Sequence, residues 1–218
     1  MIDPFAAAVW PSLPTIATYS AAVLLLVLTP GPDMTLFLGR TLVSGRAAGL
    51  AVLAGTTVGL YVHTVAAALG LSALLAASDT AFQMLKWAGA IYLARLAWVA
   101  LTRGSAFEPR AGAGETPSLG RAFLTGLGVN VLNPKIVLFF VTFLPQFVDP
   151  ADPAAGFQMA VLGGLYGVIG APICVALILG AERVSGVFAA SRALRRGLDF
   201  ATAGLFGAFA VKLALWRA

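Results

Sequence analysis

Six apolar stretches, each about as long as a bilayer is thick, constrain this chain more than any other feature. A membrane-spanning helix needs about 20 mostly apolar residues. Only 11% of the 218 residues are charged, whereas soluble domains carry about 25% charged residues. We therefore predict an all-α integral membrane protein that forms one transmembrane domain over residues 1–218. The six predicted transmembrane helices cover residues 15–39, 47–75, 83–101, 122–144, 157–179 and 198–215.

The connection at residues 102–120 divides the chain into two halves. It is rich in glycine, proline, serine and charged residues, a composition typical of a flexible loop. Residues 1–101 and 121–218 each hold three predicted helices. Because three is an odd number, the second half crosses the membrane in the opposite sense, so the two halves form an inverted repeat.

The basic residues predict the orientation in the membrane, because cytoplasmic loops carry an excess of Lys and Arg. The first, third and fifth connections between the predicted helices carry nine basic residues, whereas the other side of the membrane carries only Lys86, Lys212 and Arg217. We predict that both termini lie outside the cytoplasm and that the loop at 102–120 lies inside. The charges are dispersed rather than grouped with aromatic residues, so they do not indicate nucleic-acid binding. The nine basic residues of the odd-numbered connections are Arg40, Arg46, Arg103, Arg110, Arg121, Arg183, Arg192, Arg195 and Arg196.

The connection at residues 181–197 allows two interpretations. Its apolar residues share one helical face opposite its arginines, a pattern that favours an amphipathic helix along the inner membrane surface. An ordinary basic loop explains the composition equally well.

Proline interrupts the first and fourth predicted helices at matching places. The sequence VLTPGPDMTLFL begins at Val27, and VLNPKIVLFF begins at Val131. Proline cannot donate a hydrogen bond to the carbonyl four residues earlier. Pro-interrupted segments at corresponding places in two halves indicate a transporter binding site. The prolines Pro30, Pro32 and Pro134 thus free the carbonyls of Leu26, Leu28 and Asn130.

The chemistry of these breaks suits a zwitterion. Because the halves run oppositely, the half-helices that start after Pro32 and Pro134 point their N-termini toward each other. Such N-termini favour a carboxylate, and freed carbonyls favour an ammonium group.

Two charged residues stand at the starts of these half-helices. Asp33 is either a structural N-cap or a group that binds substrate or carries a proton. Lys135 opposes the helix dipole and needs an anionic partner. That partner is Asp33 in an ion pair, a substrate carboxylate, or each in alternation.

Gly55, Gly59 and His63 recur at intervals of four in the second predicted helix. The glycines favour close helix packing. His63 is the single histidine of the chain and serves either as a hydrogen-bonded packing residue or as a proton relay.

These segments together resemble the LysE superfamily, and within it the homoserine/threonine efflux (RhtB-like) branch. The resemblance covers nearly the whole chain. The matching segments are TPGPD at 29–33, GRTLVSGRAAGL at 39–50, the Gly55/Gly59/His63 pattern, LKWAGAIYL at 85–93, NPKIVLFFVTFLPQFVDP at 133–150 and LDFATAG at 198–204.

The resemblance implies a secondary transporter rather than an enzyme. It would export neutral, homoserine- or threonine-like amino acids or close derivatives from the bacterial cytoplasm by proton antiport. Its partners would be the amino acid, protons and the lipid bilayer of the inner membrane, with no cofactor and with assembly as a homodimer. Asp33 and His63 are the candidates for proton coupling. The substrate-binding residues that it implies are Pro30, Gly31, Pro32, Asp33, Asn133, Pro134 and Lys135.

Two other functions remain open on the sequence. An inorganic-ion transporter of the same superfamily would need several carboxylates or thiolates facing its pathway, and the predicted helices offer mainly Asp33, with Lys135 to repel a cation. An intramembrane enzyme would have to use His63 and Asp33 as a base and its partner.

Overall fold

The computed structural model describes residues 9–71, 79–103, 118–149 and 152–215, and its regular elements there are all helical. Two of the helices continue directly into tighter or wider turns. The helix Arg46–Ala66 runs on as the π-helix Ala67–Leu71, and the helix Pro134–Leu138 runs on as the π-helix Phe139–Phe143 and the 3₁₀-helix Leu144–Phe147. The α-helices are α1 (Leu13–Leu28), α2 (Pro32–Ser44), α3 (Arg46–Ala66), α4 (Asp79–Arg103), α5 (Leu119–Val131), α6 (Pro134–Leu138), α7 (Ala155–Leu179), α8 (Ala181–Ala190) and α9 (Arg192–Leu215).

In the described part of the chain, two helices meet the length and composition test for a membrane span, and up to four spans result if each bent helix pair counts as one. Arg46–Gly70 and Ala155–Leu179 are each long and apolar enough to cross a bilayer alone. The pairs α1–α2 and α5–α6 meet the same test as bent spans. The predicted third and sixth spans fall on α4 and α9, helices of 25 and 24 residues. That these two also cross the membrane, and that the six form an inverted repeat, stays a prediction.

Both predicted helix breaks are present. The axis bends by 49° between α1 and α2 and by 47° between α5 and the helical segment that begins at Pro134. Proline accounts for both bends, because it removes a backbone donor and clashes with the preceding turn. The interruption of the first and fourth predicted helices is thus confirmed.

Glycine, rather than hydropathy, sets the end of the first bent helix. The predicted boundary at Gly39 is five residues short, because α2 continues through the polar residues Arg40 and Thr41 to Ser44. It ends at Gly45, whose φ of +85° favours glycine. The same residue is the N-cap of α3, so α2 and α3 meet in a sharp turn.

Glycines bring α3 and α5 into close contact. A Cβ on Gly55 would collide with the main chain of α5 at Phe123, and one on Gly126 would collide with the carbonyl oxygen of Val52. Side chains larger than hydrogen would force these helices apart. The packing role predicted for the glycines is confirmed at Gly55, and the first half of the chain is thereby fixed against the second.

The connection at residues 181–197 is largely helical. Helix α8 ends at Ala190, Ser191 interrupts it, and α9 starts at Arg192. The ordinary-loop interpretation is therefore wrong, whereas a position along the membrane surface stays a prediction. Of the loop predicted at 102–120, residues 104–117 lie outside the described part of the chain.

Two buried apolar clusters enclose the region of the breaks. One contains the aromatic side chains of Tyr19, Phe139 and Phe143. The other contains Met34 and Phe37 of α2 together with residues of α3 and α7. Residues beside the breaks belong to both clusters, Leu26 and Ile136 to the first and Met34 to the second.

Candidate functional site

The starts of the two half-helices lie close together, as expected from the inverted halves. Gly31 is the N-cap of α2, and Asn133 is the N-cap of α6. A methyl group on Gly31 would lie 3.5 Å from Nζ of Lys135. The two breaks therefore form one polar region.

Lys135 takes its hydrogen-bond partners from the first break. Its Nζ donates to the carbonyl oxygens of Leu26 and Thr29, both at 2.9 Å. Leu26 lies four residues before Pro30, so its carbonyl is one of those freed by proline. The sequence predicted that the freed carbonyls favour an ammonium group, and at Leu26 the ammonium group of Lys135 binds such a carbonyl.

Asp33 is held by two amides of the second half. Its Oδ2 accepts a hydrogen bond from Nδ2 of Asn130 at 2.7 Å, and its Oδ1 accepts one from Nδ2 of Asn133 at 3.0 Å. The interpretation of Asp33 as a structural N-cap is wrong, because Gly31 is the N-cap of α2 and makes no side-chain cap hydrogen bond. The carboxylate is directed across the break and not onto its own helix.

His63 approaches the carbonyl of Asn130, which lacks a donor from Pro134 but accepts the backbone N–H of Asn133 at 3.0 Å. Its Nε2 lies 3.3 Å from the main-chain oxygen of Asn130, and its ring stacks on Phe140 with centroids 5.8 Å apart. Each of these two carbonyls, Leu26 and Asn130, therefore meets a side chain from the opposite half of the chain.

An open cavity adjoins this network, and the space inside it together with the open space at its mouth amounts to about 630 Å³. Among the residues predicted to bind substrate, Gly31, Asp33, Asn133 and Lys135 line it. The described lining residues do not include Pro30, Pro32, Pro134 or His63. The prolines shape the backbone, and His63 contacts the carbonyl of Asn130. Further polar lining residues are Thr29, Thr56, Thr57, Asn130, Tyr166 and Cys174.

Comparison with known proteins decides the family. The profile of the LysE type translocators matches residues 24–217. The chain belongs to this family.

Two relatives illustrate the match. An uncharacterized membrane protein of Pseudomonas aeruginosa is 32% identical over 202 residues, which cover 90% of this chain and 93% of that protein. A homoserine/homoserine lactone efflux protein of Salmonella typhimurium is 35% identical over 139 residues, 64% of this chain and 66% of that protein. No solved structure matches. The resemblance to the efflux branch is thereby supported, and the chain is a membrane translocator and not an enzyme.

Asn130 is the residue of this LysE-type site that sequence reasoning missed. The sequence drew attention to its carbonyl, but its side chain is what holds Asp33. Asn130 is 3% exposed, and a buried amide within an apolar helix is costly unless it is hydrogen-bonded. The signal available in the sequence was the position of Asn130, one helical turn before Pro134.

A second, smaller cavity shares Lys135 and Leu26 with the first. The second one is otherwise apolar and is lined by phenylalanines of α9 and of the segment after Pro134. The two residues joined by the Lys135–Leu26 hydrogen bond thus line both a polar and an apolar cavity of the translocator.

Proposed function

We propose that this LysE-type translocator exports neutral, homoserine- or threonine-like amino acids or close derivatives from the bacterial cytoplasm in exchange for protons. The efflux protein to which it is 35% identical supports this substrate class. The observation that carries the proposal is one cavity that presents a carboxylate and an ammonium, each held by other partners.

A zwitterion matches the charges of that cavity. Lys135 has three N–H donors, and two of them go to main-chain carbonyls. The third is available for a substrate carboxylate. The lone pairs of Asp33 that Asn130 and Asn133 do not use can accept from a substrate ammonium. In this proposal the breaks at Pro30, Gly31 and Pro32 and at Asn133 and Pro134 position the two charged groups.

Two threonines of α3 suit a substrate with a hydroxyl group. The hydroxyls of Thr56 and Thr57 both donate to the carbonyl of Leu53, at 2.9 and 2.8 Å. Their oxygens retain lone pairs, and both residues line the cavity. They can therefore accept a hydrogen bond from a hydroxyl on the substrate side chain.

The orientation and assembly belong to the same proposal. We place the protein in the inner membrane as six spans in two inverted repeats, with both termini outside the cytoplasm, and as a homodimer. Besides residues of the breaks, Phe37 of α2 and Cys174 of α7 line the cavity. The arginine distribution assigns the C-terminal ends of α2 and α7 to the cytoplasm, so in this proposal the cavity receives its substrate from there.

Asp33 is the first candidate for the proton carrier and His63 the second. Purified protein in liposomes should accumulate labelled homoserine or threonine when a pH gradient is imposed. Asp33→Asn should reduce this gradient-driven uptake at least tenfold and leave exchange of labelled for unlabelled substrate measurable, because the amide cannot release a proton. Glu182→Gln, which neutralises an exposed carboxylate of α8, is the control and should transport normally.

The screen should include the other amino acids and their lactones. If no amino acid or derivative exchanges across the liposome membrane, the substrate class is wrong. If exchange occurs but Asp33→Asn still responds fully to the pH gradient, Asp33 is not the carrier and His63→Gln becomes the variant to measure.

A further inference from the structure

We propose that Asn130 is a positioning residue that sets the protonation of Asp33 and links it to His63, and that Gly59 leaves the space that Asn130 needs for this. The inference deepens the proposed function, since it concerns proton coupling at the same site. It rests on three contacts of one buried residue, with Asp33, His63 and Gly59.

The side chain of Asn130 stabilises the charged form of Asp33. The 2.7 Å hydrogen bond from Nδ2 is the shorter of the two that Asp33 accepts from amides. Donors to a carboxylate favour its ionised form. Displacement of this amide would therefore leave the carboxyl protonated up to a higher pH.

The main chain of Asn130 connects to the histidine. Its carbonyl lacks the donor that Pro134 would otherwise supply; it accepts the N–H of Asn133 at 3.0 Å and lies 3.3 Å from Nε2 of His63. Because a carbonyl oxygen only accepts, Nε2 of His63 is the donor of this hydrogen bond. The titratable groups on both sides of Asn130 thus share one intermediary.

Gly59 faces the remaining polar atom of Asn130. A methyl group on Gly59 would lie 2.6 Å from Oδ1 and 2.9 Å from Cβ of Asn130. Oδ1 is buried and has no hydrogen-bond partner among the described residues. The close approach of α3 at Gly59 therefore holds the side chain of Asn130 in place. Any larger residue at 59 would push the amide out of its position against Asp33.

Other titratable groups also surround Asp33. Lys135 lies on α6, and Tyr166 and Cys174 lie on α7; all three line the same cavity. They are unchanged in every variant below, so their influence on Asp33 is common to the whole comparison.

The test reads the protonation of Asp33 directly. Carbodiimides react with protonated carboxyl groups, and mass spectrometry of the Asp33 peptide gives the extent of labelling at each pH in the folded protein. Asn130→Leu removes the donor at similar volume, so the midpoint of labelling should move up by about one to two pH units, as expected for the loss of one hydrogen bond to a charged group. Gly59→Ala should move it in the same direction and keeps Asn130 itself, so it answers the question if Asn130→Leu fails to fold.

Gly163→Ala is the matched control. Its methyl group would lie 2.5 Å from Oγ1 of Thr64, also a movable side chain in a helix contact with α3, but neither residue lines the cavity. The labelling midpoint should stay unchanged in this variant. A shift equal to that of Gly59→Ala would mean that helix packing in general controls Asp33, and it would overturn the proposal.

A double-mutant comparison tests the link to His63. His63→Gln should shift the midpoint for Asp33 when Asn130 is present and should have little effect in the Asn130→Leu background. An equal effect in both backgrounds would show direct action of His63 on Asp33 and overturn the link. An unchanged midpoint in folded Asn130→Leu would overturn the positioning role.

The labelling experiment needs no transported substrate, so it fails independently of the proposed function. Liposomes that exchange no amino acid, together with the expected labelling shifts, would refute the substrate and leave the role of Asn130 standing. Proton-coupled export of an amino acid with unshifted labelling would support the proposed function and refute the role of Asn130.

Discussion

The break between α1 and α2 and the break between α5 and α6 bend the chain almost equally, by 49° and 47°, but they complete their hydrogen bonds differently. At the second break Asn133 caps its own helix, because its Oδ1 accepts from the backbone N–H of Lys135 at 3.0 Å. At the first break Gly31 offers no side-chain cap. Both carbonyls that receive Lys135, those of Leu26 and Thr29, belong to this first break.

The charges differ in the same way. Asp33 in the first turn of α2 complements the helix dipole, whereas Lys135 in the first turn of α6 opposes it. The unfavourable charge is directed away from its own helix and toward the carbonyls of the other break. The comparison teaches that the first break takes the donor for its carbonyls from the second half of the chain, whereas the second break caps its own helix, so a change at Lys135 should be felt at both breaks.

Lys135→Met should have the largest effect of the changes that test this comparison. It removes the common donor of the Leu26 and Thr29 carbonyls, and we expect a loss of about 1–3 kcal/mol in the free energy of unfolding. Substrate binding should also be lost, because the carboxylate loses its cation. The melting temperature in detergent and a substrate-induced thermal shift measure the two effects.

The same variant also distinguishes an ion pair with Asp33. Because Asp33 takes its hydrogen bonds from Asn130 and Asn133, adding Asp33→Asn to Lys135→Met should not restore the melting temperature. Restoration would show that a structural ion pair matters more than the carbonyl contacts. Lys135→Arg keeps the cation and should retain more stability than Lys135→Met.

Asn133→Ala should have the next largest effect and should separate capping from substrate chemistry. Loss of an N-cap side chain costs about 0.5–2 kcal/mol. Ser118, which caps α5 through a 3.3 Å hydrogen bond from the N–H of Arg121, provides the matched control Ser118→Ala. Both variants should lower the melting temperature. Only Asn133→Ala should impair transport, because Asn133, unlike Ser118, also donates a hydrogen bond to Asp33. Equal transport in the two would contradict a role for Asn133 beyond its helix.

Gly31→Ala should have the smallest effect on stability. Its φ of −161° is extended backbone that alanine adopts, and the new methyl group would make ordinary contacts with Lys135 at 3.5 Å. We expect a change below about 0.5 kcal/mol. Gly45→Ala, at a φ of +85°, should be destabilised more, by about 1–3 kcal/mol. Since Gly31 lines the cavity, weaker substrate binding in a stable Gly31→Ala variant would place the substrate at the first break, and unchanged binding would place it elsewhere.

The amino-acid sequence by itself determined the helical membrane fold and the two breaks. Apolar stretches of bilayer length permit few other structures, because backbone polar groups must be satisfied inside the membrane. Proline acts locally, so the bends at Pro30, Pro32 and Pro134 followed from the residues alone. The small-residue pattern likewise predicted the close helix contact at Gly55.

Only the tertiary structure decided which groups satisfy the breaks. That Asn130 holds Asp33, and that Lys135 bonds the carbonyls of Leu26 and Thr29, depends on how the two halves meet about 100 residues apart along the chain. Sequence patterns report local conformation and helix faces, and they carry little information on the partners of one side chain across a packed interface. The sequence therefore identified the charged residues of the site, and the packing of the two halves determined their contacts.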